Sequence, residues 1–370
     1  MTRTLLVLLG AALACGESGR DTSATAATGV TTAPATATAT EAASEAPTGG
    51  TGDISTTLDG TGVDTGASVG TTEAVKFDIG SAETGGTTTG GMDGCTKIDF
   101  LFVIDNSASM EDNQAALIAS FPGFIAAIEA NLTATSDFHI MVVDTDDDGR
   151  CKQPCDPSNP DVPEFCIDDG VDACNAQLTP CDTTRGAGVV HPVGTFASNK
   201  VCPIAGGNRY MTQAEPDLAS TFACVATVGT AGNPSERPMN GMVEALGSVI
   251  NDPGGCNAGF LRDDAILVIT FISDDPNKSD MGQPDDWYEA VVAAKNGDPS
   301  AVAVAGLIPV LDDLSCIGDG NIQGSHWRAF VELWGDHGIM GTVCAADYAP
   351  FFAEAVDIID NTCDNFVPPV

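Results

Sequence analysis

Past Cys95 the chain alternates apolar runs of strand length with segments whose apolar residues recur at helical spacing. Residues 98–104 are apolar except for Asp99, as expected of a central strand covered on both faces. Over 115–132, Leu117, Ile118, Phe121, Phe124, Ile125 and Ile128 share one helical face. Residues 138–143 predict a second strand, 238–250 a helix with Pro238 in its first turn, and 265–272 the most apolar strand of the chain. The alternation continues with a helix over 287–295, a strand over 301–310, a helix over 326–334, a short strand over 339–343 and a last helix over 348–361. The predicted fold is therefore α/β: a doubly wound, mostly parallel central sheet with helices on both faces. Such sheets bind ligands at the carboxyl ends of their strands.

Before Cys95 the texture is different. Residues 1–14 read as a signal peptide, with Arg3 ahead of an apolar run too short to span a bilayer. Residues 15–94 are mostly Thr, Ala, Gly, Ser and scattered acids, which bury too little apolar area to offset the entropy of ordering and so predict a disordered tether. Within it, Val75 to Gly80 is more apolar and could dock as a short strand. Gly66-Ala67-Ser68-Val69-Gly70 matches the G-x-S-x-G pattern by chance, because that motif needs a strand, a turn and a helix around it. Ala12-Leu13-Ala14-Cys15 resembles a bacterial lipobox, which implies lipidation at Cys15 and an outer-membrane or cell-surface lipoprotein. The same residues also form an A-x-A site, which implies a secreted or periplasmic protein instead.

Charge narrows the partners. With 14 Lys and Arg against 52 Asp and Glu, the formal net charge is −38, so phosphate recognition is excluded and no nucleic acid is expected. Contact with a membrane is expected only through the N-terminal lipid. The 13 cysteines become an even set once Cys15 is set aside, as suits disulfides in an oxidising compartment. Cys151, Cys155, Cys166, Cys174, Cys181 and Cys202 fall in a Cys-rich insertion over 145–215 of the domain at 95–370, where three internal bridges are expected. Cys95, Cys224, Cys256, Cys316, Cys344 and Cys363 bracket the core elements, with Cys224–Cys256 and Cys344–Cys363 as expected pairs.

Immediately after the first predicted strand stands Asp105-Asn106-Ser107-Ala108-Ser109, a D-x-S-x-S pattern on the turn into a helix. A carboxylate and two hydroxyls at alternate positions can converge on one hard cation and leave coordination sites for water or an incoming carboxylate. The plainer alternative is a capped helix, with Ser107 or Ser109 as N-cap and Glu111 and Asp112 at the positive helix end.

Ile98 to Met110, together with Phe271-Ile272-Ser273-Asp274-Asp275, resembles the von Willebrand factor type A domain and its metal-ion-dependent adhesion site, over about 96–363. The resemblance implies a divalent cation (Mg, Mn or Ca) bound directly by Ser107 and Ser109, with Asp105 and Asp274 acting through water and compensating its charge. The family's middle ligand, a Thr, falls on Thr230, or else on Glu236 if the alignment follows the next helix. The implied function is a cell-surface adhesion or protein-binding module whose cation accepts an acidic side chain of a partner protein.

Asp144-Thr145-Asp146-Asp147-Asp148-Gly149 opens like an EF-hand loop, but its twelfth position is Cys155 rather than Glu, so a solvated acidic turn is expected. His139, His191, His326 and His337 show no H-x-x-x-H or H-E-x-x-H spacing. His139 reads as structural, and the chain is expected not to be an enzyme. A secreted metal-dependent hydrolase using His191, and a structural envelope protein, are the alternatives.

Overall fold

The computed structural model describes residues 95–131, 137–146, 178–232, 237–275, 280–313, 315–316 and 325–369. The signal peptide, the tether with Cys15, Cys151, Cys155, Cys166, Cys174 and Glu236 lie outside them.

Six strands form one mostly parallel sheet in the order β3-β2-β1-β4-β5-β6. They are β1 Lys97–Ile104, β2 Asp137–Asp144, β3 Met211–Thr212, β4 Ile266–Ile272, β5 Val302–Ile308 and β6 Gly338–Thr342. Only the two-residue β3 runs antiparallel, against β2. The helices are α1 Glu111–Asn131, α2 Leu218–Ala226, α3 Pro238–Ala245, α4 Ser248–Asn251, α5 Pro284–Ala294, α6 Ser325–Glu332 and α7 Ala349–Asn365.

The near-continuous apolar run of β1 follows from its place in the middle of the sheet. Phe100 and Phe102 enter one apolar cluster with Phe121 of α1, Phe222 of α2 and Phe352 of α7. Leu101 and Val103, pointing the other way, join Met239 of α3, Trp287 of α5 and Phe330 of α6. Each such fully buried side chain stabilises the fold by roughly 1.5–3 kcal/mol. Asp99, the one polar residue of the run, is fully buried and accepts from Arg262 N–H at 2.7 Å and from Arg262 Nε at 2.8 Å. His139 is structural as expected: it lies in β2, with Nδ1 2.8 Å from the Phe260 carbonyl and its ring against Tyr210.

Three expectations need correction. The helix expected over 238–250 is two helices, because the chain at Gly247 is extended (φ −60°, ψ 144°) and its N–H turns back to the Glu244 carbonyl. Helix α2 was absent from the periodic reading, although Asp217 caps it by accepting from Ser220 N–H and Phe222 and Val225 bury its inner face.

The disulfides differ most. The described bridges are Cys95–Cys363, Cys181–Cys256, Cys202–Cys224 and Cys316–Cys344. Cys181 and Cys202 therefore pair with cysteines outside the insertion, so three bridges internal to it are not formed. Neither Cys224–Cys256 nor Cys344–Cys363 exists. The insertion is stapled to the core at Cys256 and at the end of α2 rather than closed upon itself. These bridges are compatible with an exported protein. Among the described residues no helix is long and apolar enough to cross a membrane.

Candidate metal centre

Strand register decides which loops meet. Ile104, the last residue of β1, pairs with Asp144 of β2 on one side and Ile272 of β4 on the other. Asp105 N–H then donates to the Ile272 carbonyl at 3.0 Å, and Ser273 N–H to the Leu307 carbonyl at 3.2 Å. The segments carrying Asp105 and Asp274 thus leave the sheet side by side at the carboxyl ends of adjacent central strands.

Asp105 is fully buried. Its Oδ1 accepts from Ser107 N–H at 2.7 Å and its Oδ2 from Ser273 Oγ at 2.5 Å. Burial pushes its carboxyl up to about 7, against the lowering effect of the Ser273 and Ser107 hydrogen bonds, and the nearby Asp274 charge adds to the rise. Asp274 is raised as well, chiefly by burial, while its hydrogen bond from Ser109 Oγ at 3.0 Å opposes the shift. Two carboxyl groups with raised pKa at one strand end are disfavoured as anions unless a positive charge joins them.

Ser107 Oγ is buried and has no hydrogen-bond partner of normal geometry. An orphaned hydroxyl of this kind costs about 1–3 kcal/mol. Ser109 Oγ donates to Asp274 and Ser107 Oγ makes no hydrogen bond of normal geometry, while Glu111 and Asp112 stand in the first turn of α1 as the capped-helix alternative expects.

The turn with Thr230 is tied to the same loop. Gly232 N–H donates to the Asn106 carbonyl at 2.9 Å, and Gln114 Nε2 donates to the carbonyls of Asp105 and Gly229, both at 2.9 Å. A Cβ on Gly232 would fall 2.2 Å from Asn106 Oδ1, so only glycine permits this approach. Thr230 is 8% exposed, and its N–H donates to the Thr195 carbonyl at 2.7 Å. Ser107, Ser109, Asp105 and Asp274 are thus brought together, and the Thr230 turn is laced to them through backbone.

The acidic turn after β2 is corrected over its first three residues: Asp144, Thr145 and Asp146 are buried rather than solvated, and Asp146 Oδ2 accepts from Asn106 Nδ2 at 3.2 Å, while Asp147, Asp148 and Gly149 lie outside the described residues. Asn106, Gln114, Ser273 and Asp146 brace the loops; sequence reading gave no role to the first three and expected Asp146 in a solvated turn. Ser273 stood in the strand-end pattern beside Asp274; Gln114 carried no signal, because its task depends on two loops meeting.

The donor set suits a hard divalent cation: two carboxylates and several hydroxyls, with an unengaged oxygen at Ser107. Among the described residues no three or more His, Cys, Asp and Glu side chains cluster as a metal site, so a cation here would rely on hydroxyl oxygen. Beside Ser109 and Asp274 opens a recess of about 610 Å³, walled by Asp112, Asn113 and the Cys316–Cys344 bridge. Comparison with protein-family models gives no match, and comparison with curated proteins gives none either.

Proposed function

We propose that residues 95–370 form a von Willebrand factor type A module with a metal-ion-dependent adhesion site, exported and held at the outer membrane or cell surface through a lipid on Cys15. Ser107 and Ser109 would hold a Mg, Mn or Ca ion, with Asp105 and Asp274 compensating its charge and Thr230 contributing from the neighbouring turn. The bound ion supplies a positive centre that accepts an acidic side chain of a partner protein, which the overall charge of −38 would otherwise repel. The module binds and is not an enzyme.

What carries this reading is the buried Ser107 Oγ, which makes no hydrogen bond of normal geometry yet lies near enough to the buried carboxyl of Asp105 to lower its pKa. The strand order, the parallel register around β1 and the Ser109–Asp274 hydrogen bond support it.

Ser107→Ala gives a test in two conditions. In chelator the variant should be as stable as the parent or slightly more so, since an orphaned hydroxyl is removed. In Mg²⁺ at about 100 times its dissociation constant the parent should gain about 2.7 kcal/mol, and the variant should lose most of that gain. Calorimetry with and without cation reads both. Equal gains in parent and variant contradict the assignment of Ser107, and no gain in the parent with any of the three cations contradicts the site.

A further inference from the structure

The four described bridges differ in exposure. Cys95, Cys363, Cys202 and Cys224 are buried, and Cys181 and Cys256 are half-buried. In the fourth bridge Cys316 is exposed and Cys344 half-buried. Both of its cysteines line the recess of about 610 Å³ that opens beside Ser109 and Asp274, which is wide enough to admit a small thiol.

The two sulfurs of this bridge are not equivalent. Cys316 N–H donates to Cys344 Sγ at 3.2 Å. A hydrogen bond to sulfur favours its thiolate, and the sulfur with the more stable thiolate is the better leaving group in thiol–disulfide exchange. Access and leaving ability thus agree: an incoming thiolate reaches Cys316, and the electron pair departs with Cys344. The backbone around the bridge is also held without it. Asp313 accepts from Ser315 N–H at 3.1 Å and from Thr342 Oγ1 at 3.2 Å, and Thr342 Oγ1 in turn accepts from Cys344 N–H at 3.1 Å. The Val343 carbonyl accepts from Asn113 Nδ2 and from Tyr348 O–H, both at 2.7 Å. The Asp313–Thr342 contact joins the same two segments as the bridge, so cleavage leaves the two cysteines opposed.

We propose that Cys316–Cys344 is a reversible thiol–disulfide exchange site whose co-reactant is a neutral or cationic dithiol. The first thiolate of the dithiol attacks Cys316 Sγ; a mixed disulfide forms, the Cys316–Cys344 bond breaks, and Cys344 leaves as a thiolate that takes a proton from water. The second thiolate of the dithiol attacks the dithiol's own sulfur in the mixed disulfide and releases Cys316. Two electrons pass to the bridge, and the dithiol ends as a disulfide. Asp112 and Asp274 line the same recess and the chain carries −38 overall, which disfavours an anionic co-reactant. Neither step needs a bound cation. Opening the bridge removes the covalent link in the wall of the recess that adjoins Ser109 and Asp274.

The test uses the full-length protein in chelator. A monothiol is added in excess, the reaction is stopped with acid at partial conversion, free thiols are alkylated, and peptide mass spectrometry reads each cysteine. The expected product carries the monothiol on Cys316 and the alkyl group on Cys344, and it forms on the order of tenfold or more faster than any of the other three described bridges is cut. At equal thiolate concentration and low salt, cysteamine should react on the order of tenfold faster than mercaptoethanesulfonate, with the gap closing at high salt. Removing the thiol under mild oxidation should restore the same pairing. Another described bridge cut first, or an adduct mainly on Cys344, overturns the site. Equal rates for the two thiols overturn the class of co-reactant, and a different pairing on reoxidation overturns reversibility.

Discussion

Asp280 illustrates what burial does to a carboxyl away from the candidate metal centre. Its Oδ2 accepts from Trp327 Nε1 at 2.6 Å and its Oδ1 from Asn240 N–H at 3.1 Å, linking the start of α3 to α6. Burial nevertheless dominates and pushes it from 3.8 up to about 6. Between those values the folded chain keeps a proton that the unfolded chain has lost. The contribution of this group to stability is therefore fully present below about 4 and declines as pH rises through about 6, by up to about 3 kcal/mol. Asp280→Asn removes the titration, so its stability relative to the parent should improve from pH 4 to pH 7. Urea unfolding at those two values reads the difference; a constant difference would show that Asp280 titrates alike in both states. At the same scale the sequence was legible for Asp105, Ser107, Ser109 and Asp274, whose spacing and position carry the pattern. It was silent on Asn106 and Gln114, which act through hydrogen bonds between loops.

Strands were the most legible elements, because β1, β4 and β5 are buried on both faces and so appear as near-continuous apolar runs, interrupted only by Asp99 in β1 and Thr270 in β4. Helix α2 was hidden between loops, and Gly247 broke a periodicity that looked continuous. Disulfide pairing depends on which distant segments the fold brings together, so spacing between cysteines did not predict Cys181–Cys256 or Cys202–Cys224. The latter bridge closes a separation of 22 residues, and its loss through Cys202→Ser with Cys224→Ser should cost about 3 kcal/mol. Because it fastens the 194–199 loop against the Thr230 turn, the same double variant should also show a smaller stability gain in Mg²⁺. Cys95→Ser with Cys363→Ser removes a bridge between the entry to β1 and the end of α7, and should lower stability while leaving the Mg²⁺ gain intact. Denaturant titration with and without cation compares the two; equal Mg²⁺ gains would mean that the loop does not support the turn.

Across the whole domain the two ends of the sheet carry different loads. At the amino ends of β1 and β2, Asp99, Asp137 and Arg262 form a compact ion network with both signs present. At the carboxyl ends, Asp105 and Asp274 stand together with raised pKa values and a hydroxyl left unpaired. The order of strands follows from packing; at the second arrangement the hydrogen bonds to Asp105 and Asp274 oppose the cost of burying two carboxyl groups, and the proposed cation would offset it further. The proposed middle ligand was the least legible part of the site, since Thr230 lies in a glycine-rich turn with no periodic context, tied to the Asp105 loop through the backbone of Gly229 and Gly232. A crystal of the full-length protein soaked in Mn²⁺ and measured for anomalous scattering addresses the point directly. The expected result is a peak within roughly 2.0–2.3 Å of Ser107 Oγ and Ser109 Oγ; an ordered site with both serines in place and no peak between them would contradict it.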